Sequence, residues 1–135
     1  MSEVLPREVT SLLRLDGLAV LVAAVIAYGV LGGNWWVFAI LLLAPDLSML
    51  GALAGPRAGS WTYNIVHTYA LPITLGGIAW FTGATFLVPY ALIWIAHIGM
   101  DRAVGYGLKF PGSFQHTHLG VMGKARKEAT LANSR

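Results

Sequence analysis

Long apolar runs separated by short breaks organise this sequence. The first covers residues 17–33, extended at its start by Leu12, Leu13 and Leu15 around Arg14 and Asp16. Gly32-Gly33-Asn34 ends it as a tight turn, and Trp35-Trp36 opens a second run that continues to Leu53. The breaker Gly55-Pro56-Arg57-Ala58-Gly59 follows. A third run extends from Trp61 to Phe81 and contains Pro72, which predicts a kink. After Thr82-Gly83 a fourth covers Ala84 to Val104, with Pro89 in its first half. Each approaches the roughly 20 residues a helix needs to cross a bilayer. The pattern therefore predicts spans over residues 15–33, 35–54, 61–81 and 84–104. Short connections make sequential helices antiparallel neighbours. The expected fold is an all-α integral membrane domain, four transmembrane helices in an antiparallel bundle. Residues 1–10 read as a polar, interfacial lead-in. Residues 105–135 are too interrupted to span and are expected to fold over the cytoplasmic end of the bundle.

Composition agrees with that reading. Of 135 residues, 56% are hydrophobic and only 11% charged, too apolar for an ordinary soluble domain. There is no cysteine, which excludes disulfides, thiolate zinc sites and iron–sulfur clusters and leaves His, Asp and Glu as the strong ligands. The net charge of +3 arises mostly from the C-terminal tail, where Lys124, Arg126 and Lys127 suit anionic lipid. With no nucleic-acid recognition motif, membrane lipids are the expected partners and nucleic acid is not. The N-terminus carries both signs of charge with no small-residue cleavage site, so no cleaved signal peptide is expected. Arg7 and Arg14 precede the first span, Arg57 lies between the second and third, and Arg102, Lys109, Lys124, Arg126 and Lys127 lie at or after the end of the fourth. The positive-inside rule then places both termini and the middle loop in the cytoplasm.

Depth connects this topology to chemistry. At about 1.5 Å per residue, Asp46 lies roughly 12 Å from the cytoplasmic end of its span, His67 roughly 9 Å and His97 roughly 10 Å, with Asp101 shallower. The ionisable groups of separate spans thus share one cytoplasmic layer, and a charged side chain in a span costs about 2.5–3.5 kcal/mol on insertion scales unless it has a partner or a task. A common site opening to the cytoplasm is the inference.

His97 and Asp101, four apart, lie on one helix face and can offer two ligands to one ion. Asp46 follows Pro45, which leaves a carbonyl one turn earlier without its donor; a metal or proton ligand competes here with an aspartate that bonds locally at a kink. His67 shares a face with Asn64. Past the fourth span, His116 and His118 alternate and either could fold back over the mouth, His118 being preferred as a ligand. Asp16, paired with Arg14 in sequence, and with it Asn64 and Arg102, are candidates to support the ligands. Tyr106, Phe110, Phe114 and the five tryptophans read as belt and packing residues.

Ala44-Pro45-Asp46-Leu47-Ser48, Tyr63-Asn64 with His67, His97-Ile-Gly-Met-Asp101-Arg102, Gly105-Tyr106-Gly107-Leu108-Lys109 and His116-Thr-His118-Leu-Gly120 together resemble the small bacterial membrane family catalogued as domain of unknown function 4260, over residues 11–120. That resemblance implies a bacterial inner (plasma) membrane location and no defined activity. More distantly, Pro-Asp in one span with His and His/Asp motifs in others is similar to membrane-bound metal-dependent hydrolases, which implies a metal-activated hydrolytic site.

The chemistry expected is that of a metalloenzyme. Asp46, His67, His97, Asp101 and His118, with His116 as the alternative, would hold one or two divalent ions, zinc being the default for mixed His/Asp ligands, with iron and manganese as the other candidates. Bound water is acidified and a carbonyl or phosphoryl oxygen polarised, so hydrolysis follows, with Asp46 or Asp101 as base. A site about 10 Å deep suits an amphipathic or lipid-like substrate. Two rivals compete: a di-iron oxidoreductase, disfavoured because Glu3, Glu8 and Glu128 all fall outside the spans, and a non-enzymatic metal- or proton-handling protein. Gly29 and Gly76-Gly77 offer close-packing faces for a homo-oligomer.

Overall fold

The computed structural model describes residues 5–108, 116–117, 120–121 and 131–132. Helix α1 spans Arg7–Val30. It begins directly after Pro6, whose carbonyl accepts from the Thr10 amide at 3.0 Å, so residues 7–14 continue the first apolar helix instead of preceding it. The turn after it passes through Gly32 at φ 71°. Asn34 then caps α2 (Trp35–Leu41), its side chain accepting from the Trp36 amide at 2.9 Å. The Tyr28 hydroxyl donates to the Asn34 carbonyl at 2.7 Å and pins this turn.

Beyond α2 the chain tightens into a 3₁₀ segment, Ala44–Ala54, with Pro45 near its start. Proline cannot donate to the carbonyl four residues back and collides with it, which kinks or breaks an α-helix, and here the helix gives way to 3₁₀ geometry. The Asp46 amide bonds instead to the Leu43 carbonyl at 3.1 Å. Eleven residues is long for a 3₁₀ helix, which seldom exceeds three or four. The segment packs on α3 (Pro56–Val66), where Gly51 lies so close to Thr62 that no side chain would fit between them.

The expected third span is not one kinked helix. Helix α3 stops at Val66, residues 67–69 are irregular, and α4 runs over Ala70–Phe81. The break falls one turn before Pro72 because that residue can neither donate to the Thr68 carbonyl nor tolerate it in helical position. Pro89 causes no such break: it sits in the first turn of α5 (Val88–Val104), where an amide donor is not needed. Helix α5 closes on Gly105, left-handed at φ 95°.

Helices α1 and α5 run antiparallel in close contact. The Arg14 Nε donates to the Ala103 carbonyl at 2.9 Å, and Gly17 faces Gly99 and Arg102. A Cβ on Gly99 would stand 2.8 Å from the Gly17 carbonyl oxygen and the Leu21 amide nitrogen, closer than real contacts allow. Ala24, Ala91 and Ala96 are buried. Small residues let the two backbones approach, as in packed membrane helices.

The structure is thus helical, and two stretches are long and apolar enough to cross a membrane: Arg7–Val30, and Trp35–Ala54 taken through the 3₁₀ segment. Helices α3, α4 and α5 have 11, 12 and 17 residues. Among the described residues the one extended pairing is a short antiparallel ladder between β1 (His116–Thr117) and β2 (Gly120–Val121).

Candidate metal centre

Four side chains meet where α3 ends, the 3₁₀ segment begins and α5 makes its last turns. Asp46, His67, His97 and Asp101 each offer a ligand atom, all within 4.8 Å of one another. The His67 Nε2 is 3.3 Å from Asp46 Oδ1, 3.5 Å from Asp101 Oδ2 and 3.1 Å from His97 Nε2. The His97 Nε2 is 3.3 Å from Asp46 Oδ1 and 3.2 Å from Asp101 Oδ2. A regular tetrahedron has edges about 1.6 times its centre-to-corner length, so ligand atoms at about 2.0–2.1 Å from an ion stand about 3.3–3.4 Å apart. The five separations given have that size, the two carboxylate oxygens lie within 4.8 Å of each other, and the group could hold a metal ion.

Proton positions favour the same conclusion. The His67 Nδ1 lies 2.9 Å from the Tyr63 carbonyl, which can only accept, so Nδ1 carries a proton, and in the neutral ring the lone pair of Nε2 turns inward. That lone pair and two carboxylates then face at most one N–H, from a neutral His97. Three acceptors cannot share one donor proton without repulsion, and a cation at the centre removes it. Ligating histidines commonly donate their second N–H to a backbone carbonyl in this way. His97 differs: its buried Nδ1 makes no hydrogen bond among the described residues.

The helix breaks supply the surrounding carbonyls. Where α3 stops, the Val66 carbonyl accepts from Trp94 Nε1 at 2.7 Å and the His67 carbonyl from Arg102 Nη2 at 3.1 Å. Both donors come from α5, the helix that carries His97 and Asp101, so the two ligand-bearing elements are locked together. The Tyr63 ring stacks on His67, centroids 3.8 Å apart and planes 12° apart.

Exposure differs sharply within the group. The side chains of His97, His67 and Asp101 are 0%, 3% and 11% exposed, whereas Asp46 is 42% exposed. Beside the centre, Leu41, Pro45, Val66, Tyr90, Ile93 and Trp94 line an apolar groove of about 300 Å³. The groove reaches residues adjacent to both Asp46 and His67.

Of the other residues singled out from sequence, Arg102 touches the site through the His67 carbonyl. Asp16 is exposed on α1 and outside the group. Asn64 lines a different groove with Ser60, Trp61, Ile65 and Thr68, because it is Tyr63, four residues back, that shares the helix face of His67. The backbone of His116 lies in β1, and His118 falls outside the described residues. Trp94, expected to be a packing residue, instead caps a broken helix; the signal for this is an indole donor three residues before His97, with a proline in the preceding apolar run.

No curated protein and no solved structure matches this chain. The model of one family, described as a domain of unknown function (DUF4260), matches residues 10–122, a stretch that holds Asp46, His67, His97 and Asp101 together. On that match the chain belongs to the DUF4260 family.

Proposed function

We propose that this protein is an integral membrane metalloenzyme, a metal-dependent hydrolase acting on an amphipathic or lipid-like substrate from the cytoplasmic side of a bacterial inner membrane. Its bundle has four spans, with α3 and α4 forming the third across their break and α5 the fourth. The observation that carries the reading is the cluster of four ligand atoms within 4.8 Å of one another, with His67 Nδ1 2.9 Å from the Tyr63 carbonyl. Two imidazoles and two carboxylates without thiolates suit zinc, and one compact group suits a single ion better than a di-iron pair. A zinc ion bound there would supply acidified water and polarise a carbonyl or phosphoryl oxygen. The chain's own contributions are orientation and exclusion of water: His97 and Asp101 are held by α5, His67 by Tyr63 and Arg102, and the apolar groove accommodates a hydrocarbon portion beside the exposed edge of the site. Asp46 and Asp101 are the carboxylates placed to accept a proton.

The test is turnover by zinc-loaded protein in detergent against a panel of acyl-ester, amide and phosphoester lipids. The expected result is cleavage of one class, abolished by chelation, restored by zinc and absent in His97→Ala. Metal-loaded protein that cleaves none of the panel contradicts the hydrolase reading and leaves a metal-handling role.

A further inference from the structure

A site whose four corners are all protein atoms is closed, whereas hydrolytic zinc sites keep one position for water or substrate. A four-coordinate ion held by all four side chains takes up water or substrate only when one of them gives way, and the structure distinguishes among them. His97 and Asp101 ride on the same two turns of α5, which is locked to α1 through Gly17 and Gly99. His67 is fixed by its bond to the Tyr63 carbonyl and by the Tyr63 ring. Asp46 has neither kind of restraint. Its side chain is the exposed corner, it is carried near the start of an eleven-residue 3₁₀ segment with no buried residue, and Pro45 beside it forms part of the groove wall. Long 3₁₀ stretches within helices are typical of hinges and strained segments.

We propose that Asp46 is the exchangeable ligand of the centre: His67, His97 and Asp101 form the permanent three-ligand set, and the Asp46 carboxylate withdraws to admit water or a substrate oxygen from the side of the groove. This rests on the metal-centre reading above and assigns different work to the two carboxylates. Asp101 holds the ion; Asp46 gates the open position and, once released, stands beside it. The exchange replaces one oxygen donor by another, so no oxidant or further reactant is needed.

Cobalt substitution tests this without reference to any substrate. Wild type, Asp46→Ala, Asp46→Asn and Asp101→Ala are titrated with cobalt(II) in detergent, followed by visible absorption and metal analysis, and each loaded protein is then titrated with azide. Wild type and both Asp46 variants are expected to bind one equivalent, the Asp46 variants at least about tenfold more weakly because one ligand is lost while the permanent three remain. Asp101→Ala is expected to bind none. Azide should perturb the Asp46→Ala spectrum at a concentration at least about tenfold below that needed for wild type, where it must displace the carboxylate. Asp46→Asn keeps the size and shape of the side chain and serves where the alanine variant does not fold. Loss of cobalt from both Asp46 variants as complete as from Asp101→Ala overturns the proposal, as does an azide response equal to that of wild type. Failure of wild type to bind cobalt overturns the metal-centre reading itself, a distinct outcome.

Discussion

Helices α1 and α5 cross along continuous backbones with glycine facing glycine, while the chain from α2 to α4, apart from its turn at Gly55, is interrupted twice within its apolar runs, after Leu41 and at residues 67–69. The first region gains its order from close approach of small residues. The second forgoes helical hydrogen bonds beside Pro45 and Pro72, and the carbonyls released at residues 66 and 67 take Trp94 and Arg102. The ligands divide along the same line: His97 and Asp101 come from the unbroken helix, Asp46 and His67 from the two breaks. A rigid half presents two ligands at fixed spacing, and a broken half brings the other two to meet them. The comparison shows how a 135-residue chain with so few charged groups tolerates irregular backbone inside its apolar runs: the break at residues 67–69 is answered by two side chains from α5.

The largest effect should come from the close-packed half. Gly17→Val places branched atoms where Arg102 Cβ already lies, and a Cβ at this position would stand 2.9 Å from the Gly99 carbonyl oxygen, so overpacking should cost about 1–3 kcal/mol or more. Thermal unfolding in detergent should show a lower midpoint, whereas the same change at Gly77, which has open space around it, should not produce a loss of that size. Equal losses at both positions would mean that the α1–α5 crossing is not specially tight.

Healing a break should weaken the metal site while leaving the fold intact. Pro72→Ala restores an amide able to bond the Thr68 carbonyl, so α3 and α4 can join and recapture the Val66 and His67 carbonyls. Metal affinity should fall about tenfold, the lower end of the cost of disturbing groups around metal ligands, with helicity by circular dichroism unchanged or slightly higher. Unaltered affinity would show that the break is incidental to the site.

The smallest effect expected is that of Trp94→Phe. It keeps an aromatic ring but removes the donor to the Val66 carbonyl, at a cost of about 1 kcal/mol in stability, read from a denaturation midpoint. No shift would mean that the carbonyl finds another donor at no cost.

Much of this is legible from residue pattern alone, and the divide follows the same two regions. The pair His97 and Asp101 can be read from its spacing because α5 is a regular helix and four residues return to one face. Asp46 and His67 can be placed with them by depth, since rise per residue is a crude but sound ruler along apolar runs. The character of the breaks cannot. Pro72 announces an interruption, but whether a helix kinks or stops depends on whether other elements can satisfy the freed carbonyls, and Trp94 and Arg102 are distant in sequence. For the same reason spacing points to Asn64 as readily as to Tyr63: three and four residues both return to a helix face, and only the stacking of the Tyr63 ring on His67 decides between them.

The measurement that bears most directly on the central claim is elemental analysis of protein purified from membranes without chelator, wild type beside His67→Ala and His97→Ala, each shown to be folded by circular dichroism. The account predicts about one divalent ion per chain in wild type, zinc foremost, and none in either variant. Folded wild-type protein that carries no metal and takes up none on addition would contradict it, and would leave the two histidines and two carboxylates as a network closed by protons alone.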